Sequence, residues 1–294
     1  MTPDQLTEDW FTGRVLAWGA PRLRDLPWRR TRDPWAVLVS EVMLQQTQVP
    51  RVVERWTRFV ERFPTPTACA AAPLGDVLRE WQGLGYPRRA RNLHAAAIEV
   101  TRLDDFPRDL TGLLALPGVG AYTARAVMAF AFECDEAVVD TNIARIYARQ
   151  AGRRLTAKEV QAAADAHVPH GDGWAWNQCL MDLGAVVCRP KPMCTDCPVE
   201  RSCAWRGGAR RGGESSSLDD PAVGSSGVSG RQTRFEGSDR QARGRMMKAL
   251  TAGPVAVAAV AEVMGRDDEN SRPLVDALIA EGLCARAGAW LVLP

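Results

Sequence analysis

The sequence lacks any apolar run long enough to cross a membrane, and it shows no N-terminal signal peptide. A membrane-spanning helix needs about 18 or more largely apolar residues in succession. The alternation of apolar and polar residues that is typical of β-strands is not convincing anywhere before residue 280. The formal net charge is only +2 over 294 residues, so neither an acidic nor a strongly basic protein is indicated. These absences predict a soluble, cytoplasmic, all-α protein that has no membrane partner. We also expect a monomer.

Eight cysteines are present, and their spacing separates them into two groups. Four are isolated and are expected to pack as small buried hydrophobic residues: Cys69, Cys134, Cys179 and Cys284. The other four form a C-x5-C-x2-C-x5-C pattern: Cys188, Cys194, Cys197 and Cys203. Because a reducing compartment disfavours disulfides, four thiolates in one short loop indicate a soft metal centre. Structural zinc is the competing interpretation, but zinc sites usually show two C-x2-C pairs and only one occurs here. The pattern therefore favours an iron–sulfur cluster held by all four cysteines.

A second informative stretch runs from Leu116 through Pro117, Gly118, Val119 and Gly120. It connects two predicted helices, and its glycines bring bare backbone amides to the helix N-terminus at Ala121, which is a ready site for a phosphate. Further along, Asp140 follows an apolar run and comes immediately before another predicted helix. A phosphate anchor followed by a carboxylate indicates chemistry on a nucleic-acid backbone or sugar. An ordinary helix–turn–helix corner with an N-cap aspartate is the alternative.

Capping residues and helical periodicity predict helices through most of the chain before residue 206. The stretch from Gly207 to about Gln232 is rich in Gly, Ser, Arg and Asp, which predicts a flexible linker. Helical patterns near 239–251, 255–264 and 270–281, followed by a candidate hairpin, predict a small winged-helix-like module over 233–294. Its basic beginning suits DNA, and a passive appendage is the alternative. Two arginine stripes could also face a phosphate backbone: Arg51, Arg55 and Arg58, and Arg88, Arg89 and Arg91.

Together these motifs resemble a known family. The LPGVG hairpin, the aspartate after the VVD run and the trailing cysteine quartet are similar to those of helix–hairpin–helix DNA glycosylases with an iron–sulfur loop. The segment SEVMLQQTQ at 40–48 resembles the signature of the MutY family of A/G-specific adenine glycosylases. Supporting similarities are LPWR at 26–29, GLGY at 83–86, RNLH at 91–94 and NQCLMDLG at 177–184. The resemblance covers about residues 10 to 206 of the chain.

The resemblance implies a fold and a set of modules. The fold is the all-α helix–hairpin–helix glycosylase fold, with a six-helix barrel module over 33–140 that includes the hairpin at 116–120. An iron–sulfur module, over 1–32 and 141–206, would hold a [4Fe-4S] cluster. The tail is too short for the Nudix-like domain of many relatives, and in this it resembles actinobacterial members.

The resemblance also implies catalytic roles. Glu41 would give a proton to adenine N7, and an ionised Asp140 would stabilise the oxocarbenium-like C1′, which is the logic of paired carboxylates in glycoside hydrolysis. Asn142 would orient the groups around Asp140. Tyr122 occupies the hairpin position where strand-cutting relatives carry a lysine that forms a Schiff base, so a monofunctional enzyme is expected. An exposed Glu41, a merely capping Asp140 and a core Tyr122 are the alternatives.

Further residues are implied to contact the substrate, duplex DNA with a mismatched adenine. Those implied to line the adenine pocket or reach the flipped base are Arg24, Leu26, Trp28, Arg29, Leu44 and Gln178. Those implied to fill the gap and read the opposite purine are Gln46, Thr47, Leu84 and Tyr86, with Tyr86 as a wedge. Core packing is the alternative for Trp28, Leu44 and Leu84. The amides of Gly118, Val119 and Gly120 would hold a DNA phosphate, with a monovalent cation as a further candidate ligand.

The implied activity is removal of adenine opposite 8-oxoguanine or guanine. One alternative keeps the fold and changes the base, giving a thymine or uracil glycosylase for G·T and G·U mismatches. Another is a non-catalytic DNA-binding protein. A strand-cutting enzyme similar to endonuclease III is a third, which the absence of the hairpin lysine disfavours.

Overall fold

The structure is a computed structural model that describes residues 3–208, 219–228 and 234–294, with side chains from residue 10 onward. Most of the described chain is helical, as predicted. The helices are α1 (Pro3–Gly19), α2 (Pro34–Leu44), α3 (Val49–Arg62), α4 (Pro66–Ala70), α5 (Leu74–Glu80), α6 (Arg88–Arg102), α7 (Leu110–Ala115), α8 (Ala121–Phe130), α9 (Thr141–Ala151), α10 (Ala157–His167), α11 (Gly173–Val186), α12 (Asp239–Ala252), α13 (Val260–Met264) and α14 (Asp268–Ala280). The strands are β1 (Val255–Ala256), β2 (Ala285–Ala287) and β3 (Trp290–Val292). Within these described ranges, no helix is long and apolar enough to cross a membrane.

Internal contacts divide the chain into two units, and both are discontinuous in sequence. The cysteine-loop unit combines Met1–Arg32 with Ala121–Arg231, and the Glu41 unit combines Asp33–Gly120 with Gln232–Pro294. Residues 121–140, which the sequence assigned to the barrel module, thus group with the cysteine loop. The tail groups with residues 33–120. The functional domain boundaries themselves stay a prediction.

In the cysteine-loop unit, α9 and α11 form the centre of an apolar core. Ile143 and Ile146 of α9 pack with Leu180 and Leu183 of α11, and all four are almost fully buried. Helix α1 lies so close to α11 that a Cβ at Gly19 would lie 2.4 Å from Cys179 Sγ. Glycine is therefore required at this helix crossing, where backbones approach more closely than a side chain allows.

Part of the predicted flexible linker is packed onto this unit. Asp220 forms an ion pair with Arg149, Ser226 N donates to Leu155 O at 3.0 Å, and Ser225 Oγ accepts from Leu155 N at 3.1 Å. Residues 219–228, here called the strap, are therefore anchored, and for this portion the linker prediction was wrong. Composition missed it because the anchors are single, small and polar. The rest of the predicted linker, 209–218 and 229–232, lies outside the described residues.

In the Glu41 unit, α2 is buried on nearly every side, from Trp35 to Met43. Its start follows the sequence: Asp33 Oδ1 accepts from Ala36 N at 2.7 Å, and Pro34 occupies the first helical turn. Trp56 of α3 donates its indole N–H to Ala36 O at 2.9 Å, which ties the next helix to α2.

The tail has the winged-helix-like arrangement predicted from its sequence, with α12, α13 and α14 beside an antiparallel sheet of order β1-β3-β2. The helix expected over 255–264 was wrong at its first two residues, while Val257–Ala259 form a 3-10 turn that leads into α13. Val255 and Ala256 form β1 instead, with Val255 opposite Leu291 of β3, and α13 begins only at Val260. A distant strand supplies the partner for β1, so local periodicity could not reveal it.

One acidic residue joins the tail to α6 within the Glu41 unit. The Glu281 carboxylate binds Arg88 at 2.7 Å and Arg243 at 2.5 Å. Its backbone carbonyl accepts from Arg91 Nη1 at 2.5 Å. Two arginines that were considered for a DNA-facing stripe, Arg88 and Arg91, therefore hold the tail. A further contact joins the last residue to α5, since Gly75 N donates to Pro294 O at 2.9 Å.

Candidate active site

Asp140 lies at the N-terminus of α9, where its carboxylate is fixed by donated hydrogen bonds. Oδ1 accepts from the amides of Asn142 at 2.9 Å and Ile143 at 2.7 Å, and Oδ2 accepts from Asn142 Nδ2 at 2.8 Å. Burial raises the pKa of the Asp140 carboxyl from its ordinary value, while these hydrogen bonds and the charge of Arg145 lower it. The capping alternative is thus realised in the structure, and capping also orients the carboxylate.

The side chain of Asn142 connects this carboxylate to a buried arginine. Asn142 Oδ1 accepts from Arg145 Nη2 at 2.7 Å, which fixes the amide so that its nitrogen points to Asp140. Arg145 also donates to Gly184 O and Cys188 O, each at 2.6 Å. Asp140 is therefore linked through two side chains to the first residue of the cysteine loop. Arg145 could not be singled out from its sequence, because a charged residue on a helix is usually solvated.

Gly184 on α11 packs directly against Asn142. A Cβ there would lie 2.5 Å from Asn142 Cβ and 3.0 Å from Asn142 O. Gly184→Ala is therefore expected to push α9 and α11 apart and to lower the free energy of unfolding by about 1–3 kcal/mol, as overpacking usually does. Thermal unfolding measures this effect. Gly13→Ala, where a Cβ would meet nothing within 4 Å, is the matched control, and equal stability of the two variants would contradict the packing described here.

The stretch that leads into Asp140, residues 134–139, has no regular secondary structure. Asn177 of α11 holds it in place: Oδ1 accepts from Val138 N at 2.9 Å, and Nδ2 donates to Glu136 O at 2.8 Å. A buried amide replaces the hydrogen bonds of a neighbouring strand, as buried backbone groups require. The NQCLMDLG segment therefore supports Asp140 from two sides, through Asn177 and Gly184.

Arg24 and Arg29 converge on one buried carboxylate, that of Asp182. Arg24 Nε donates to Oδ1 at 2.7 Å, and Arg29 donates to Oδ2 at 2.9 Å and to Oδ1 at 2.8 Å. The hydrogen bonds of these arginines lower the pKa of Asp182 against the opposing effect of burial. This node organises the segment that contains Leu26 and Trp28, both of which are buried. The predicted role of these four residues in an adenine pocket stays a prediction.

Two other predicted residues of the cysteine-loop unit occupy helices. Tyr122 lies in the first turn of α8 and is half-buried, so it is not simply a core tyrosine. Gln178 lies on α11 and is 4% exposed. Their predicted contacts with the sugar edge and the flipped base are not tested by these positions.

Glu41 lies on α2 of the other unit and is only 4% exposed. The alternative of an exposed helix residue is therefore wrong. Its helical neighbours Val42 and Met43 are also buried. A carboxyl group at such a position is costly to leave charged, which suits a group required to carry a proton.

The residues predicted to handle the mispair lie on two loops of the Glu41 unit. Gln46 and Thr47 follow the end of α2, and Leu84 and Tyr86 precede α6. Gln46 and Tyr86 are exposed, whereas Leu44 is half-buried and Leu84 is buried. Thr47 Oγ1 contacts Leu84 O at 3.4 Å, so the two loops meet.

The glycines of the predicted phosphate anchor have different surroundings. Gly118 has a φ of +79°, and a Cβ there would lie 2.6 Å from Asn92 Cβ. A Cβ at Gly120 would meet nothing within 4 Å, and the Val119 amide donates to Leu116 O at 3.1 Å. The tight turn thus requires Gly118, while the backbone at Gly120 is open to an approaching group. The phosphate and the monovalent cation stay predictions.

All four cysteines of the C-x5-C-x2-C-x5-C pattern line one cavity in the cysteine-loop unit. Burial raises the pKa of Cys194, Cys197 and Cys203, and the charges of the neighbouring cysteines raise it further. Each of these thiols thus lies within electrostatic range of the others. No three acidic, histidine or cysteine side chains in the described ranges are arranged around a single metal ion.

Arg149 encloses this cavity on one side. It is 2% exposed and donates to Cys188 Sγ at 3.3 Å and Arg189 O at 2.7 Å. Its guanidinium lies over the Trp205 ring, 4.7 Å from the centroid, and binds Asp220 of the strap at 2.6 Å. Arg149 and Asp220 could not be predicted from the sequence, because a buried ion pair between distant positions leaves no local signal.

Comparison with known proteins places this arrangement in a family. The model of the HhH-GPD superfamily base excision DNA repair protein matches residues 39–170. The adenine DNA glycosylase of Mycolicibacterium smegmatis is 39% identical over 279 residues, which cover 92% of this chain and 90% of that protein. The solved structure of a thermostable thymine-DNA glycosylase has a TM-score of 0.65 and 29% identity, covering 70% of this chain and 99% of its own. A non-covalent endonuclease III–DNA complex shares the fold, with a TM-score of 0.60 and 24% identity over 70% of this chain and 97% of its own. The chain belongs to the HhH-GPD superfamily of base excision DNA repair proteins and, within it, to the family of adenine DNA glycosylases.

Proposed function

We propose that this protein excises adenine from duplex DNA in which the adenine lies opposite 8-oxoguanine or guanine. The observation that carries the proposal is the Asp140 carboxylate, which three donated hydrogen bonds hold at the start of α9. These hydrogen bonds hold the carboxylate in a fixed orientation before the reaction begins. A negative charge that is oriented in advance is what the stabilisation of a developing cation requires. The near-complete burial of Glu41 supports its role as the acid.

The proposed reaction breaks the bond between C1′ and N9 of adenine. Glu41 transfers its proton to N7, so that the electron pair of the breaking bond leaves with a neutral adenine. Asp140 stabilises the oxocarbenium-like sugar, and water then adds to C1′. The proton that this water loses replaces the one that Glu41 gave to N7, so both carboxyl groups return to their starting states. Asn142 is a positioning residue, since its amide holds Asp140 Oδ2 at 2.8 Å.

The enzyme is proposed to be monofunctional. Tyr122 presents a phenol at the start of α8, and a phenol cannot form the imine by which a lysine amine cleaves the strand. The product is therefore an intact strand with an abasic site. A pyrimidine has no N7, so excision of thymine or uracil would leave Glu41 without its proposed proton acceptor.

The four cysteines that line one cavity are proposed to hold a [4Fe-4S] cluster. Their thiols lie near one another, and Arg206 N lies 3.4 Å from Cys203 Sγ, a contact of the kind that stabilises cluster sulfur. When bound, the cluster would cross-link the loop of residues 188–203. All eight cysteines are free of disulfides, which fits a cytoplasmic enzyme. A monomeric state is part of the same proposal.

Single-turnover assays on four duplexes test the function. The duplexes contain A·8-oxoG, A·G, G·T or G·U, and each reaction is analysed with and without alkali. Strand breaks that appear at adenine only after alkali are expected, since alkali cleaves abasic sites. Breaks at adenine without alkali would contradict the monofunctional proposal, and product only at thymine or uracil would replace adenine as the substrate.

A further inference from the structure

Arg89, at the start of α6, makes an unusual number of contacts with the backbone of the Glu41 unit. Its guanidinium nitrogens contact six oxygen atoms from two loops, the loop of residues 45–47 and the loop of residues 84–86, and from the end of α2. We infer that Arg89 is a positioning residue that fixes both loops in the conformation needed to read the mispair. This inference rests on the proposed function for the roles of Gln46 and Tyr86.

The first set of contacts is to the C-terminus of the Glu41 helix. Arg89 Nη1 lies 2.8 Å from Val42 O, 2.9 Å from Met43 O and 2.6 Å from Gln45 O. The last carbonyls of a helix have no partner within the helix, and they form the negative end of its dipole. A cation at this position satisfies them and ends α2 one turn after Glu41.

The second set of contacts joins the other loop. Arg89 Nη2 lies 3.1 Å from Thr47 Oγ1, 3.0 Å from Leu84 O and 3.1 Å from Gly85 O. The same Gly85 carbonyl accepts from the Trp81 indole at 3.1 Å. One planar side chain thus connects the two loops, which are separated by almost forty residues in the sequence.

Each loop contains one residue in a strained backbone conformation. Gln46 has a φ of +54° and Tyr86 has a φ of +48°, in the left-handed region that residues other than glycine seldom adopt. Such conformations persist only where the surroundings enforce them. Arg89 supplies this enforcement, because its acceptors include the residue immediately before Gln46 and the residue immediately before Tyr86.

The chemistry of the contacts requires a guanidinium. Burial lowers the pKa of Arg89 to about 10, which still leaves the group charged at neutral pH. Its face lies 5.4 Å from the Trp81 ring centroid and 5.5 Å from that of Tyr86. Lysine has one nitrogen in place of a planar fork, so it cannot reach both loops at once.

Loss of Arg89 should affect mispair recognition and leave general binding to DNA intact. Arg89 acts through Gln46 and Tyr86, so losing it should affect the step in which the adenine is extruded and the mispair recognised. Binding to fully paired duplex, which depends mainly on phosphate contacts, should be nearly unchanged.

The test compares Arg89→Lys with Arg102→Lys, an exposed arginine on the same helix, in the full chain. Arg89→Lys is expected to lower single-turnover excision at A·8-oxoG about tenfold to a hundredfold, as displacement of positioning groups does. Fluorescence of 2-aminopurine in place of the adenine should report less extrusion, with unchanged affinity for paired duplex. Hydrogen exchange in the free protein should rise at 45–47 and 84–86. Arg102→Lys should behave as the wild type in all these measurements.

A second substitution separates positioning from general stability. Asparagine adopts the left-handed conformation more readily than glutamine and keeps the amide, so Gln46→Asn should restore part of the rate lost in Arg89→Lys. If Arg89→Lys folds poorly, Thr47→Val removes one acceptor of Arg89, and hydrogen exchange at 84–86 in the free protein, where no DNA contact is involved, should rise by a smaller amount. The inference would be overturned if Arg89→Lys showed the excision rate and the hydrogen exchange of the wild type. It would also be overturned if hydrogen exchange rose throughout the Glu41 unit and Gln46→Asn restored none of the lost rate. A wild-type protein that excises no adenine would instead refute the proposed function, while the exchange measurements would still test whether Arg89 fixes the two loops.

Discussion

Asp140→Asn is expected to slow adenine excision about a thousandfold, because an oriented charge that stabilises a transition state contributes on this scale. The asparagine keeps an acceptor oxygen for the amides of Asn142 and Ile143, so the N-cap of α9 should survive. Affinity for duplex DNA and the melting temperature should therefore change little. Single-turnover kinetics, duplex titration and thermal unfolding measure the three quantities.

Asp172→Asn is the matched control, since Asp172 is an exposed N-cap residue whose side chain forms no capping hydrogen bond. The control should retain the wild-type rate. Excision by Asp140→Asn within a fewfold of the wild-type rate would contradict the role assigned to Asp140.

The dependence of the excision rate on pH provides a second test of the role of Asp140. Because burial raises the pKa of Asp140, the excision rate should fall on acidification at a higher pH than for an ordinary aspartate. A raised carboxyl pKa favours the folded state in acid, so unfolding caused by this group cannot explain that loss. Asp140→Asn should lack this acidic limb.

Glu41→Gln is expected to lower adenine excision about a hundredfold to ten-thousandfold, which is the usual contribution of a general acid. Glutamine matches the shape of the side chain and can occupy the same buried position on α2, but it has no proton to give to N7. Affinity for a duplex that contains 7-deazaadenine, which lacks N7, should be the same for wild type and variant.

Glu54→Gln, an exposed residue on α3 of the same unit, provides the control and should leave the rate unchanged. Glu41→Gln with wild-type excision would remove Glu41 from the mechanism. A parallel loss of rate and of melting temperature would assign it a structural role instead.

The parts of the fold that the sequence predicted are those fixed by neighbouring residues. Asp33 and Pro34 start α2, and both signals lie within one turn of the helix they control. The start of β1 at Val255 was missed because its partner, Leu291, is far away in the sequence. The strap could not be predicted for the same reason, since Asp220 anchors it only through an ion pair with Arg149, which is distant in the sequence.

In the candidate site, too, the residues in local motifs could be predicted and those that depend on distant partners could not. Asp140, Glu41 and the four cysteines lie in motifs with fixed spacing, so they could be named from the sequence. Arg145, Arg149 and Asp182, which support them, could not be named from the sequence, because each is a charged side chain whose role depends on a distant partner. Arg24 and Asp182, for example, are 158 residues apart. The energetic reason is general: a buried charge is costly alone and is tolerated only with its partners.

The contact between Gly75 and Pro294 has a consequence for biosynthesis. Gly75 is synthesised long before Pro294, so the α5 amide cannot form this hydrogen bond until Pro294 has left the ribosome. Nascent chains stalled at successive lengths should therefore become more resistant to protease in the Glu41 unit once Pro294 has emerged.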